Sequence, residues 1–585
     1  MSNFTPKWAR GIVWYQIFPE RFCNGNPDVN PELEDQRGSW PHELESPYEV
    51  HPWTSDWYER QPYETHQRHG ISDTIQRRRY GGDLAGIIQK LDYLKELGVG
   101  AIYLNPIFES PSSHKYDAAT WHHVDPTFGP DPEGDRRIME TEVFNDSETW
   151  KWTSADKLLL ELIQEAHKRQ LYIIIDGVFN HMGLNSVAFR HLKKHGKRSP
   201  YKDWFKVTQW AEDAPDGELK VQTWEGFNEL PEIMQNRQGL VAGPRQYCFD
   251  ITRRWMDPHG NGDLSAGVDG WRLDVANCIK HPFWKKWRKH VRSINPEAYI
   301  LGEVIKPVKT LKGYLKGDEF DAVMNYNFAF ACSEFFIPNK RRIPVSKFVE
   351  RLHELRTAFP EEVSHVMHNL LGSHDTDRVF SRIKNADLFT IREWWEYYEL
   401  SKAKNPEYDT SQPGDAEKRI LKLMKLFQFT YPGAPVIYYG DEAGLWGAND
   451  PCNRKPMLWP EHSYDPERIR PDGKAYEQTT EVAYDHELAG WVKKLAKIRN
   501  ESTALREGAF EIILQDDEND TLAFSRKSGN EHVVVVINNS RKEQAISLPQ
   551  EQFATLKLAA SSGKAEMNEV KSEILISGKS GVVLG

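Results

Sequence analysis

The sequence predicts an α/β protein: a (β/α)₈ barrel with long rim excursions over residues 1–504, followed by a small antiparallel β-sandwich over residues 505–585. Two observations carry this expectation. From about residue 11 to 500, short apolar runs suited to buried parallel strands alternate with stretches whose apolar residues recur every three or four positions. After about residue 505 the texture changes to alternating strands such as TLAFSR and HVVVVIN, with turn residues between them.

The candidate barrel strands are, in order, IVWYQIF, AIYLNPIF, YIIIDGVFN, VDGWRLDV, YILGEVI, DAVMNY, VMHNLLGSHD and APVIYYGDE. Helical stretches between them include DLAGIIQKLDYLKELG and SADKLLLELIQEAHKR, each with one apolar face. Eight such units close naturally into a barrel. Three stretches break the alternation: residues 31–79 after the first strand, 122–152 after the second and 182–245 after the third. In a barrel these are excursions at the C-terminal rim, where active sites are built.

Composition narrows the partners. A formal net charge of −11 argues against nucleic acid, which needs a concentrated basic surface. The short basic stretches KKWRKHVR and RIRPDGK read as solvated faces. No apolar run is long enough to span a membrane, and MSNFTPKWARG lacks the apolar core of a signal peptide, so a cytoplasmic protein is expected. Five scattered cysteines without a CxxC pair fit reduced thiols. The 20 Trp and 23 Tyr are an unusual stock of flat, half-polar rings.

The strand ends share a second oddity. Asp176, Asn180 and His181 close the third strand, Arg272 and Asp274 the fourth, Glu303 the fifth, and His374 with Asp375 the seventh. Charges are costly to bury, and several converging on one rim point to function rather than to structural ion pairs. Three carboxylates with an arginine and two histidines suit glycosidic bond cleavage, which uses one carboxyl as acid and base and, in retaining enzymes, a second as nucleophile. On a strand, residues i and i+2 share a face, so Arg272 stands beside Asp274 and is expected to keep it ionised. Glu303, on the next strand, is the candidate proton donor. The aromatic residues suit the apolar faces of sugar rings.

DGVFNH, GWRLDVAN, GEVI and GSHD, in this order, resemble the four signature regions of the α-amylase superfamily of glycoside hydrolases, family 13. YQIFPERF, YGGDLAGI, SHKYD and YYGDE resemble its cyclomaltodextrinase, neopullulanase and maltogenic amylase branch. The resemblance implies a retaining mechanism with Asp274 as nucleophile, Glu303 as general acid/base and Asp375 as the carboxylate clamping sugar hydroxyls. It implies that Arg272, His181 and His374 hold the glucosyl unit, that Tyr116 stacks beneath it, and that Arg378 serves a neighbouring subsite. It further implies a structural calcium at Asn24, Asn26, Asp28 and Asn30 with Gly81 and Asp83, and a domain B in the excursion at 182–245. A second loop, DPHGNGDLSAGVD at 257–269, alternates oxygen-bearing residues in the manner of a calcium loop.

The chain departs from that branch in three places. It begins almost at the first barrel strand, where the branch carries an N-terminal β-domain, which leaves the oligomeric state open. GEVI replaces GEIW, so Ile305 stands where a Trp would contact the leaving group. Cys278 follows Asn277 where the branch often has glutamate. Trp40, Trp53, Trp57 and Trp224 of the excursions are candidate substitute walls. The expected activity is hydrolysis of α-1,4 bonds in maltodextrins or starch, with cyclodextrin and pullulan as further candidate substrates. A transglycosylase using the same carboxylates is the alternative. A non-catalytic glucan-binding partner protein fits less well, because the acids are all present.

Overall fold

A computed structural model describes residues 4–585 apart from 66–67, 389–393 and 554–555, so two positions of the first excursion lie outside the described residues. Eight parallel strands form the barrel: β1 (Trp14–Ile17), β2 (Ala101–Leu104), β3 (Tyr172–Gly177), β4 (Gly270–Leu273), β5 (Tyr299–Gly302), β6 (Ala322–Val323), β7 (His368–Asn369) and β8 (Ala434–Tyr438). They neighbour one another in the order β6, β5, β4, β3, β2, β1, β8, β7. A parallel bridge between Met324 and His368 joins the two ends and closes the ring. All eight predicted strands are found where the apolar runs lie.

The runs form strands because both faces are covered, as parallel sheets require. Ile173, Ile174 and Ile175 are all fully buried, alternately inside the barrel and against the helices. The helix Ser154–Lys168 shows how its sequence starts it. Thr153 and Asp156 form a reciprocal capping box, and Leu159, Leu162, Ile163 and Ala166 recur on the face that packs inward. KKWRKHVR lies on the helix His281–Ile294, where Trp287 and Arg288 are buried rather than solvated. Arg288 and Arg292 there pair with Asp321 at 2.8 and 2.7 Å.

The excursions leave from strand C-termini and meet above one rim. The third holds two small antiparallel hairpins, Val207–Gln209 with Lys220–Val221 and Gln235–Asn236 with Gly239–Leu240. The first reaches it through Asn185 Nδ2, which donates to the carbonyl of Arg37 at 2.6 Å, and through His42 Nε2 and Glu229 Oε1 at 2.7 Å. The second is pinned by the buried His123, which stands between Asp156 (2.8 Å) and Glu142 (2.7 Å).

Beyond the barrel, strands 509–516, 521–528, 531–538, 580–584 and 558–561 form one antiparallel sheet, and strands 544–547, 573–576 and 565–568 a second. Val534, Val536, Ile546, Ile574, Ile576 and Val582 fill the space between them. The pair rests on the barrel through Phe427 and Phe524, whose rings are 5.9 Å apart. Among the described residues, no helix is long and apolar enough to cross a membrane.

Candidate active site

Strand alternation builds the site. Arg272 and Asp274 face inward, while Trp271, just before Arg272, faces the helices, its ring 5.9 Å from Phe179 and 6.1 Å from Trp287. One guanidinium organises the acids. Arg272 Nη1 lies 2.9 Å from Asp176 Oδ2 and 2.8 Å from Asp274 Oδ1, and Nη2 lies 2.8 Å from Glu303 Oε1. Arg272 and Asp176 are 0% exposed, whereas Asp274 and Glu303 each keep 6%, so two acids reach the cleft and their cation does not.

Val275, directly after Asp274, takes a left-handed conformation (φ 38°, ψ 46°) that costs a β-branched residue on the order of 1–3 kcal/mol. That turn aims its amide at Glu303 Oε2, 2.9 Å away. The strained backbone therefore locks the acid of β5 to the end of β4.

A hydrogen-bond relay shapes the floor. Gln16 Nε2 lies 2.8 Å from His374 Nδ1, His374 Nε2 lies 2.5 Å from the Tyr116 hydroxyl, and that hydroxyl donates to Asp176 Oδ2 at 3.1 Å. Donation by Gln16 leaves the His374 proton on Nε2, directed at Tyr116. Asn105 Nδ2 also donates to the Tyr116 hydroxyl at 3.0 Å, and Tyr103 donates to Asp176 at 2.6 Å. His181 Nε2 lies 3.1 Å from the Tyr116 carbonyl, and its ring stacks near Trp224 at 5.8 Å. Tyr116, His181, Arg272, His374 and the three carboxylates are thus brought together. Asn180 serves the backbone, its carbonyl accepting from the amide of Ile233.

The electrostatics correct one expectation. Burial, with the charges of Glu303, Asp176 and Asp375, pushes the Asp274 carboxyl well above its ordinary range, while Arg272 pulls it down. Arg272 does not act on Asp274 alone, because the same cation is shared with Asp176 and Glu303. Asp375 is pushed up to about 8, first by burial and then by Glu303, with Arg272 and Arg454 opposing. Burial holds His181 down at about 4 and His374 well below its usual value, so both rings are neutral.

Arg378 does not join the site. It caps the helix Val379–Lys384 below the rim, where its buried guanidinium donates to the carbonyls of Asn453 (2.9 Å) and Tyr439 (2.5 Å) and lies 4.1 Å over the Tyr438 ring. Arg454 takes the place at the cleft, donating to the His374 carbonyl at 3.0 Å and standing 4.0 Å from Asp375. Nothing in NRKPM marked Arg454 beforehand. Gln16 could have been found as the one polar residue inside the apolar run IVWYQIF.

Of the excursion tryptophans, Trp57 is buried beside Tyr80 and Arg78, and Trp53 is half-buried with its Nε1 donating to the Met457 carbonyl at 3.0 Å. Trp57 is therefore closed to a sugar. Trp40 is exposed and Trp224 is partly open. Ile305 is half-buried, and Cys278 is half-buried with its thiol pushed up to about 11 by burial.

The predicted calcium residues converge in part. Asn24 Nδ2 donates to Asn30 Oδ1 at 2.8 Å, and Asn24 Oδ1 is buried without a hydrogen-bond partner. Gly81 (φ +75°) lies so close that a Cβ there would sit 2.2 Å from Asn30 Oδ1. Asp83 accepts from the amides of Gly25 (3.1 Å), Asn26 (2.9 Å) and Gly86 (2.6 Å), and Asp28 is exposed. An orphaned oxygen beside a carboxylate fits a hard cation. In the loop at 257–269, Asp257 and Asp263 accept from the loop's own amides, and Asp269 accepts from Ile173 N at 2.7 Å, aligning β3 with β4. A third group, His122, His123 and Glu142, could hold a metal by residue type. Its 2.7 Å contact between His123 and Glu142 has the spacing of a hydrogen-bonded ion pair.

The chain is similar to known proteins over most of its length. Residues 16–142 and 153–398 match the family described as alpha amylase, catalytic domain, and residues 510–577 match the maltogenic amylase C-terminal domain. The chain is 34% identical over 547 residues to a cyclomaltodextrinase of Geobacillus thermopakistaniensis, covering 93% of this chain and 71% of the relative. It is 34% identical over 544 residues to neopullulanase 2 of Thermoactinomyces vulgaris, covering 93% and 72%. The ligand-free structure of a cyclic α-maltosyl-(1→6)-maltose hydrolase from Arthrobacter globiformis superposes with a TM-score of 0.68 at 26% identity, covering 99% of each chain.

Proposed function

The chain belongs to the α-amylase family of glycoside hydrolases and acts as an α-glucan hydrolase, and we propose that it cleaves α-1,4-glucosidic bonds of maltodextrins and starch with retention of configuration. The observation that carries this reading is the shared guanidinium: the two amino nitrogens of Arg272 hold Asp274 and Glu303 at 2.8 Å each. Carboxyl groups gripped by one planar fork stand close together, which favours the retaining separation of roughly 5–5.5 Å over the wider inverting one.

In this reading Asp274 attacks the anomeric carbon and Glu303 protonates the departing oxygen. Glu303 then takes a proton from water as the glycosyl ester is hydrolysed. Asp375 and His374 bind ring hydroxyls, His181 completes the pocket, Arg272 holds the two carboxyls from behind it, and Tyr116 supports the ring from below. Cyclodextrins and pullulan are candidate substrates because the named relatives include a cyclomaltodextrinase and a neopullulanase.

The test is a product profile on starch, maltotriose, β-cyclodextrin and pullulan, with the first-formed anomer read by proton NMR. Maltodextrin products that appear as the α-anomer are expected, and β-anomers would overturn retention. Products longer than maltotriose from maltotriose would show transglycosylation on the same carboxylates.

Two further readings accompany this one. All five cysteines are free, which supports a reducing, cytoplasmic location. We also propose that Asn24, Asn26, Asn30, Gly81 and Asp83 hold a structural calcium. A calcium concentration one hundred times the dissociation constant adds about 2.7 kcal/mol to the folded state. The thermal midpoint should therefore rise by a few degrees with calcium and fall with chelator, and Asn24→Ala should blunt the response. A midpoint indifferent to both additions removes the site.

A further inference from the structure

The chain holds 20 Trp, 23 Tyr and 26 Phe, yet among the described residues three aromatic side chains are exposed: Trp40 at 53%, Phe227 at 46% and Trp395 at 45%. All three stand on segments that leave the C-terminal rim. Trp40 lies in the first excursion and Phe227 in the third, whereas Trp395 lies on the helix Trp394–Leu400, inserted between β7 and β8.

That helix is tied to the site on both of its sides. The Trp394 ring is 5.6 Å from Tyr326, whose hydroxyl lies 3.0 Å from Ser373 Oγ, two residues before Asp375. The Trp395 ring meets Tyr398 edge-on at 5.6 Å. Tyr398 donates to Asp450 Oδ2 at 3.3 Å, and Asp450 pairs with Arg454 at 2.8 Å, the arginine that stands 4.0 Å from Asp375. Lys402 Nζ lies 4.1 Å over the Tyr398 ring, so that ring is already occupied and the open platform is Trp395. Trp224, beside His181 at the end of β3, belongs to a different wall.

We propose that Trp395 forms an outlying glucosyl-binding subsite, stacking on a sugar ring of an α-glucan chain that extends past the cleavage position. An exposed indole on a helix braced against the site offers the apolar face that pyranose rings pack on. The inference rests on the proposed α-1,4-glucanase reading and extends it: the enzyme discriminates by chain length on the Asp375 side of the cleft.

The test compares wild type, Trp395→Ala and Trp395→Phe on maltotriose and maltoheptaose. A stacking contact of this kind is worth about three- to tenfold. The ratio of kcat/KM on maltoheptaose to that on maltotriose should fall by about that factor in Trp395→Ala, mainly through KM, and be partly restored in Trp395→Phe. An unchanged ratio overturns the proposal. Calorimetric titration of maltoheptaose into Asp274→Asn, with and without Trp395→Ala, gives a second readout independent of turnover. Weaker binding in the double variant supports the subsite, and equal binding refutes it. If wild type cleaves neither oligosaccharide, the α-1,4-glucanase reading fails, and the titration still decides the subsite.

Discussion

Asp274→Asn should abolish turnover, lowering kcat on maltotriose by roughly 10⁴-fold or more, the scale seen when a nucleophile is removed from an intact site. The change is nearly isosteric, and Asp274 Oδ1 accepts from Arg272 in a way that an amide oxygen can reproduce at 2.8 Å. The fold should therefore survive. Burial and three neighbouring acids already push this carboxyl upward, so removing its charge relieves repulsion rather than exposing it. Reducing-sugar release, with circular dichroism as the folding control, checks both parts. Activity within tenfold of wild type would return the nucleophile to another carboxylate of the cluster.

Asp375→Asn should lose catalysis and gain stability. The carboxylate lies 3.2 Å from His374 Nε2, where it can hold sugar hydroxyls, and removing one such group typically costs about 10²–10³ in kcat. The stability effect follows from the sign of its shift. The folded carboxyl titrates near 8 rather than in its ordinary range, so across the interval between them the folded state binds more protons than the unfolded one. Wild type therefore loses stability as pH rises through that interval, at up to about 1.4 kcal/mol per pH unit for one group. With its side chain 27% exposed, solvent screens part of this, and a net effect of about 1–3 kcal/mol is expected. The advantage of Asp375→Asn in thermal midpoint should be small at pH 5 and larger at pH 8.5. An advantage equal at both values would show that this carboxyl is not held protonated by its surroundings.

Much of the site was legible before folding, because catalytic chemistry leaves local marks. Period-two alternation places Arg272 and Asp274 on one face without reference to any other segment, and acids closing apolar runs stand out where burial would exclude them. Arg378 shows the limit. It sits three residues after Asp375, close enough in sequence to be credited with a subsite, yet the helix that begins at Val379 turns its side chain under the rim. Arg454, 79 positions beyond Asp375 in the chain, reaches the cleft instead, donating to the His374 carbonyl. Trp53 and Trp57 show a related limit: an aromatic-rich loop looks the same in sequence whether its rings face substrate or pack on one another, and Trp57 here packs against Tyr80.

The eight strands in their order and the glycoside hydrolase family were legible in the sequence alone, the strands through residue type and periodicity and the family through a few short motifs. Tertiary structure decided how one guanidinium is divided among Asp176, Asp274 and Glu303. It also decided that the strained Val275 amide fixes Glu303, and which of the many rings remain open to a glucan. These are contacts between segments far apart in the chain. Burial and charge sharing are sums over such contacts, and no local pattern contains them.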